Sequence, residues 1–136
     1  MADEKTFLIE VLTPSGKALG MEVVGAIVPL ADGLMGFLPG RAPLIAQMGA
    51  GELVLRESPK VAQRYFVSGG FAHMANGRMS VLAEECQAAS ALDAKEANEL
   101  LEQAKALPAD DPVKRQRRKQ FIAVAKARLK VAESNL

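Results

Sequence analysis

Phe71-Ala72-His73-Met74-Ala75-Asn76-Gly77-Arg78-Met79-Ser80-Val81-Leu82 is the stretch that decides the fold class. Two alternating apolar runs flank Asn76-Gly77, and both turn residues tolerate the positive φ of a tight β-hairpin. Outward from this hairpin the same grammar continues. Residues 64–68 read as a strand, and Glu52-Leu53-Val54-Leu55-Arg56 alternates with period two. Ala31-Asp32-Gly33 turns the chain after a strand over residues 22–28. Pro14-Ser15-Gly16 turns it after residues 6–12, where Phe7, Ile9 and Val11 share a face. Turn signals every ten residues or so predict a β sandwich or barrel of about eight to ten antiparallel strands.

The chain then changes character. All 11 glycines lie at or before Gly77, and beyond Gln87 the sequence is rich in Ala, Lys, Arg and Glu, which favour helix. The expected division is residues 1–87 as a β-sandwich domain and residues 88–136 as an α-helical hairpin, joined through Gln87-Ala88-Ala89-Ser90-Ala91 as a linker. Asp93 with Glu96 three residues on predicts a reciprocal N-cap. The first helix places Ala97, Leu100, Leu101, Ala104 and Leu107 on one face. Residues 108–112 interrupt it, with Asp111 as the next N-cap and Pro112 at the first helical position. A second helix then runs to about Ser134 with Phe121, Ile122, Ala125, Leu129 and Ala132 as its apolar stripe. So small a hairpin must lean on the β unit or on another protein. Its alanine-rich face forgoes about 0.8 kcal/mol per missing methylene, so either a weak, two-state docking or a permanently packed hairpin fits the sequence.

Composition narrows the function. With 49% hydrophobic and 24% charged residues the chain is globular, and no apolar run approaches the roughly 20 residues of a membrane span. The acidic start Met1-Ala2-Asp3-Glu4-Lys5 lacks signal-peptide character and predicts a cytoplasmic chain. Cys86 is the sole cysteine and His73 the sole histidine, so neither an internal disulfide nor a structural zinc site is expected. His73 reads as a half-exposed strand residue. Phosphate-loop and dinucleotide-binding fingerprints are absent from the sequence, since Val11 stands where a phosphate loop ending in Gly16-Lys17 needs its first glycine. Binding, assembly or regulation is therefore expected rather than catalysis, with no cofactor and no metal.

The overall charge of +1 conceals a polarised tail. Residues 1–89 carry seven basic and nine acidic side chains, residues 90–111 two and six, and residues 112–136 eight and one. Lys114, Arg115, Arg117, Arg118 and Lys119 crowd the start of the second helix, where cations in the first turn are disfavoured by about 0.3–1 kcal/mol. They read either as a solvated face partly neutralised by the first helix or as a contact surface for an acidic partner. Nucleic acid is a poorer partner, because aromatics make up 4% of the chain and tryptophan is absent. Competing readings are an enzyme using the Arg41 and Ser68 region and a basic adaptor binding nucleic acid or an acidic partner through the second helix.

Gly33, Gly36-Phe37-Leu38-Pro39-Gly40-Arg41-Ala42-Pro43-Leu44, Val67-Ser68-Gly69-Gly70-Phe71 and Val81-Leu82-Ala83-Glu84, in this order and spacing, resemble the epsilon subunit of the F-type ATP synthase. The tail agrees through Leu92-Asp93, Ala97 and Arg128-Leu129-Lys130-Val131-Ala132-Glu133. The resemblance implies a noncatalytic subunit of the central rotor stalk, peripheral to the cytoplasmic face of the inner membrane, that helps couple proton transport to ATP synthesis. It implies that the β unit binds the gamma subunit along one sheet. It places the ring of membrane c subunits against Asp32, Leu34, Gly36, Leu38, Pro39, Arg41 and Pro43. It further implies a hairpin that either folds on the sandwich or extends toward the catalytic alpha and beta subunits to hinder ATP hydrolysis, with Lys114, Arg115, Arg117, Arg118 and Lys119 facing acidic loops there.

Two positions depart from the family pattern. Arg41 stands where histidine is common. In the hairpin motif through which some relatives bind ATP, Leu92-Asp93-Ala94-Lys95-Glu96-Ala97 has an acid in place of arginine, and Val124 precedes Arg128 by one turn. A carboxylate repels phosphate, so weak or no ATP binding is expected.

Overall fold

A computed structural model describes residues 5–134; Met1-Ala2-Asp3-Glu4, on which the expectation of a cytoplasmic chain rests, lies outside the described residues. Ten strands form the first part: β1 (Phe7–Thr13), β2 (Gly16–Val23), β3 (Gly25–Leu30), β4 (Gly33–Phe37), β5 (Leu44–Gln47), β6 (Gly51–Ser58), β7 (Val61–Ser68), β8 (Phe71–Ala75), β9 (Arg78–Leu82) and β10 (Glu85–Ala88). They make two five-stranded sheets, ordered β2-β1-β9-β8-β5 and β10-β7-β6-β3-β4. The expected sandwich is thus present, with one refinement. Every ladder between these strands is antiparallel except β1 with β9, which run parallel and tie the first strand to the central hairpin.

The strand expected over residues 22–28 is two strands. β2 ends at Val23 in the first sheet and β3 begins at Gly25 in the second, and the Val24 N–H donates to the Arg56 carbonyl at 2.8 Å. An apolar run gives no warning of this switch, because residues on both sides of it face the same core. That core lies between the sheets and includes Phe7, Ile9, Val11, Val28, Phe37, Leu53, Leu55, Met79 and Val81. The Asn76-Gly77 turn is where the sequence put it, with φ of 52° and 74°.

No loose linker follows. Gln87 and Ala88 complete β10, and Ala89–Ala91 make a 3₁₀ turn with Ala89 buried. Helix α1 (Ala94–Lys105) and helix α2 (Pro112–Glu133) then form the antiparallel hairpin. Asp93 caps α1, but its carboxylate accepts from the Lys95 N–H at 3.0 Å, so the expected reciprocal pairing with Glu96 is replaced by a tighter local turn. Asp111 caps α2 as expected, accepting from the Lys114 N–H at 2.7 Å. Leu101, Ala104 and Ala125 form the seam between the helices, with Ile122 and Leu129 beside them. Phe121, expected on the buried stripe, is 53% exposed, whereas Val131, absent from that expectation, is buried. Twenty-two residues of α2 serve two neighbours, and the residues facing the sandwich fall out of phase with those facing α1.

Candidate functional site

The β3–β4 turn and the loop over residues 38–43 gather the first set of expected contact residues at one rim of the sandwich. Strand alternation explains their exposure. Met35 and Phe37 pair with Val28 and Ala26 and point inward, which sends Leu34 and Gly36 outward. Leu34 is 71% and Leu38 68% exposed. Asp32, Arg41 and Pro43 are exposed and Pro39 is half-buried. Arg41 lies over the Phe37 ring at 5.1 Å and reaches the Met35 sulfur at 3.9 Å, so its cation is fixed along the rim. Leu34 borders one cleft of about 380 Å³ and Leu38 another of about 350 Å³.

The outer face of the first sheet, on β1, β9, β8 and β5, carries a second uncovered apolar patch. Phe71 pairs with Leu82 and Leu82 with Leu12, while Ile45 pairs with His73. Phe71 and Leu82 are half exposed, and Ile45 is 69% exposed. Toward β2 the patch gives way to charge, where Glu10 pairs with Lys17 and Arg78, each at 3.6 Å. His73 is exposed on this face, whereas Ser68 is buried at the end of β7 in the other sheet, so no nucleophile–base pair forms between them. Among the described residues, no group of three or more metal-binding side chains converges.

The five cations at the start of α2 are less isolated than their sequence suggests. Lys114 reaches Asp110 at 3.3 Å, and Arg115 donates to the Ala109 carbonyl at 3.4 Å. Arg118 donates through Nε and Nη2 to the Lys105 carbonyl at 3.1 and 3.0 Å, capping the end of α1. The turn between the helices therefore supplies a local reason for three of the five. Arg117 and Lys119 stay exposed and make no hydrogen bond or ion pair within the described residues.

Where α2 crosses the sandwich lies a junction that sequence reasoning missed. Phe66 points outward from β7, opposite in phase to Tyr65 and Val67, yet it is fully buried, packed with Val131, Val124, Ala127, Leu92, Ala89 and Ala50. Arg128 lies over its ring at 4.7 Å, donates to the Gln87 side chain at 2.9 Å and pairs with the Glu85 carboxylate. Arg64, held charged by its hydrogen bond to Glu52 at 2.5 Å, also bonds the Ser134 hydroxyl. The available signal was a phenylalanine on the polar phase of a strand, which needs a cover.

Comparison with known proteins matches residues 6–89 to the family described as ATP synthase, Delta/Epsilon chain, beta-sandwich domain. The chain is 34% identical over 98 residues to the ATP synthase epsilon chain of Granulibacter bethesdensis, covering 72% of this chain and 73% of that one. It is 31% identical to the epsilon chain of Syntrophomonas wolfei, over 98% of both chains. The chain belongs to the ATP synthase epsilon family. Its fold also resembles a chain in the Euglena gracilis mitochondrial ATP synthase, with a TM-score of 0.81 at 21% identity over 94% of this chain and 81% of that one. As an epsilon subunit it is structural and regulatory rather than catalytic. None of the helices in the described residues is long and apolar enough to cross a membrane.

Proposed function

We propose that this epsilon subunit is held in the central stalk between two partners and carries a brake on ATP hydrolysis. The sandwich, residues 1–87, sits on the gamma subunit through the Ile45, Phe71 and Leu82 face. It meets the c-ring through Asp32, Leu34, Gly36, Leu38, Pro39, Arg41 and Pro43. It thereby helps couple ion flow to ATP synthesis, peripheral to the membrane on its cytoplasmic face. The hairpin, residues 88–136, docks on the sandwich or extends toward the catalytic alpha and beta subunits, where Lys114, Arg115, Arg117, Arg118 and Lys119 meet acidic loops. Arg117 and Lys119 are the cations of this set with no internal partner among the described residues.

The observation that carries the reading is that the sandwich leaves apolar side chains uncovered on two sides at once, at Ile45, Phe71 and Leu82 and at Leu34 and Leu38. A chain wedged between two partners needs two such surfaces. The test is reconstitution with gamma, the ring and the catalytic subunits, comparing the full chain with one deleted after Gln87. Gamma binding and coupling persist and ATP hydrolysis rises; unchanged hydrolysis refutes the brake. Phe71→Asp weakens gamma binding and Leu34→Asp weakens coupling at the ring. Reversing Arg115, Arg117 and Arg118 relieves inhibition, with an effect that shrinks as salt is raised.

A further inference from the structure

We propose that Arg128 is the latch that holds the hairpin on the sandwich, and that the making and breaking of its contacts sets the balance between docked and released forms. Three groups converge on one guanidinium. Glu85 and Gln87 project from the same side of β10, and Phe66 is the register partner of Gln87 on β7. Arg128 spans all three, bonding the first two and stacking on the third. Its side chain is only 14% exposed, so solvent and salt screen the pair far less than they screen the hairpin's surface ion pairs.

The rest of the interface gives this one residue its leverage. Half of the side chains packed around Phe66, Ala50, Ala89 and Ala127, are alanines that bury little area each, beside Val124, Leu92 and Val131. A second polar tie across the junction, from Arg64 to Ser134, sits at the last turn of α2, where helices fray. Removing Arg128 therefore does more than delete an ion pair. It uncovers the Phe66 ring and leaves the Glu85 carboxylate half-buried without its counter-charge. Release of the hairpin and loss of these contacts are one event.

The latch is testable on the isolated full chain, and only its functional consequence rests on the brake reading above. Amide hydrogen exchange is measured in the wild type, Arg128→Gln, Arg128→Lys, Glu85→Gln and the swap Glu85→Arg/Arg128→Glu. Arg128→Gln speeds exchange in the second half of α2 by about tenfold or more while strands β1 to β9 keep their protection. Glu85→Gln does the same to a smaller extent, Arg128→Lys retains part of the protection, and the swap restores part of it. Exchange in α2 unchanged by both Arg128→Gln and Glu85→Gln overturns the latch. Should Arg128→Gln fail to fold, Glu85→Gln decides alone: faster exchange in α2 supports the latch and unchanged exchange overturns it. In the reconstituted complex, Arg128→Gln lowers ATP hydrolysis below wild type. Faster exchange with unaltered hydrolysis leaves the latch standing and refutes the brake.

Discussion

Gly70→Ala is the substitution whose cost the structure fixes most tightly. Gly69-Gly70 carries the chain from β7 in one sheet to β8 in the other, so this turn is one of the crossings that join the two layers. Gly70 has φ of 87°, and a Cβ placed on it would lie 1.6 Å from the Leu82 carbonyl oxygen and 2.7 Å from its carbon. The left-handed backbone costs an alanine about 1–2 kcal/mol. Moving a backbone carbonyl out of the way adds about 1–3 kcal/mol as overpacking. The obstacle cannot swing aside as a side chain would, because Leu82 ends β9 and the next N–H, that of Ala83, bonds to Leu12. The Gly70 carbonyl also accepts from the Met48 N–H at 2.8 Å, so the displacement spreads to the β5 edge. The sum of about 2–5 kcal/mol corresponds to a fall in melting temperature of roughly 10–20 °C for a chain of this size. Thermal unfolding followed by circular dichroism measures it, with Gly77→Ala as control. Gly77 has φ of 74° but no atom within 4 Å of the added Cβ, so it bears the conformational cost alone, about 1–2 kcal/mol. If the two variants melt together, the close approach to Leu82 is not what demands glycine.

Three further outcomes follow from the same contacts. Calorimetric titration of the isolated chain with ATP gives no micromolar binding, because the hairpin cleft of about 200 Å³ is lined by the carboxylates of Asp93 and Glu96 and its one cation, Arg128, is already paired; micromolar affinity refutes this. Burial raises the thiol pKa of Cys86, and burial together with the charges of Cys86 and Glu57 raises the phenol of Tyr65. The folded chain thus keeps protons that the unfolded chain loses, so stability falls as pH rises above about 8.5 and Cys86 alkylates slowly at neutral pH; a chemical-denaturation series across alkaline pH checks the sign. Arg118→Ala removes both bonds to the Lys105 carbonyl and loosens the end of α1, costing about 0.5–1.5 kcal/mol, read as earlier loss of helical signal on heating.

Local signals made the sandwich legible. Asn76-Gly77 and Pro14-Ser15-Gly16 name their own turns, and the period-two runs beside them name strands. What stayed hidden was the choice of sheet. β2 and β3 read as one strand because the switch at Val24 leaves the apolar pattern intact, and the end of β10 read as linker because Gln87-Ala88 is polar and small. The residues proposed for partner contact stand together as clusters in the sequence, but the environment of α2 was not legible there. Arg118 finds its acceptor 13 residues away across the hairpin turn, and Arg128 finds Glu85 43 residues away, distances over which a helical wheel is silent.

Phe66 and Phe71 pose the same problem and solve it differently. Each stands on the outward phase of its strand, on opposite faces of the sandwich. The hairpin covers Phe66 completely, and nothing among the described residues covers Phe71, which is half exposed. A released hairpin would leave Phe66 in the state of Phe71, at a cost of about 1.5–3 kcal/mol for the ring, before the loss of Val131 and of the Arg128 contacts is counted. If the total is about 4 kcal/mol, roughly one isolated molecule in a thousand is released at any moment. Extension is then not a property the chain expresses alone. It needs a partner that binds the extended hairpin better than the sandwich does, by more than that margin, because a ligand shifts an equilibrium only by its differential affinity. The isolated chain stays docked on this account, and under the proposed brake the opposing surface would come from the gamma and catalytic subunits. A released hairpin populated at tens of per cent in the isolated chain would show that the Phe66 junction contributes far less than its burial implies.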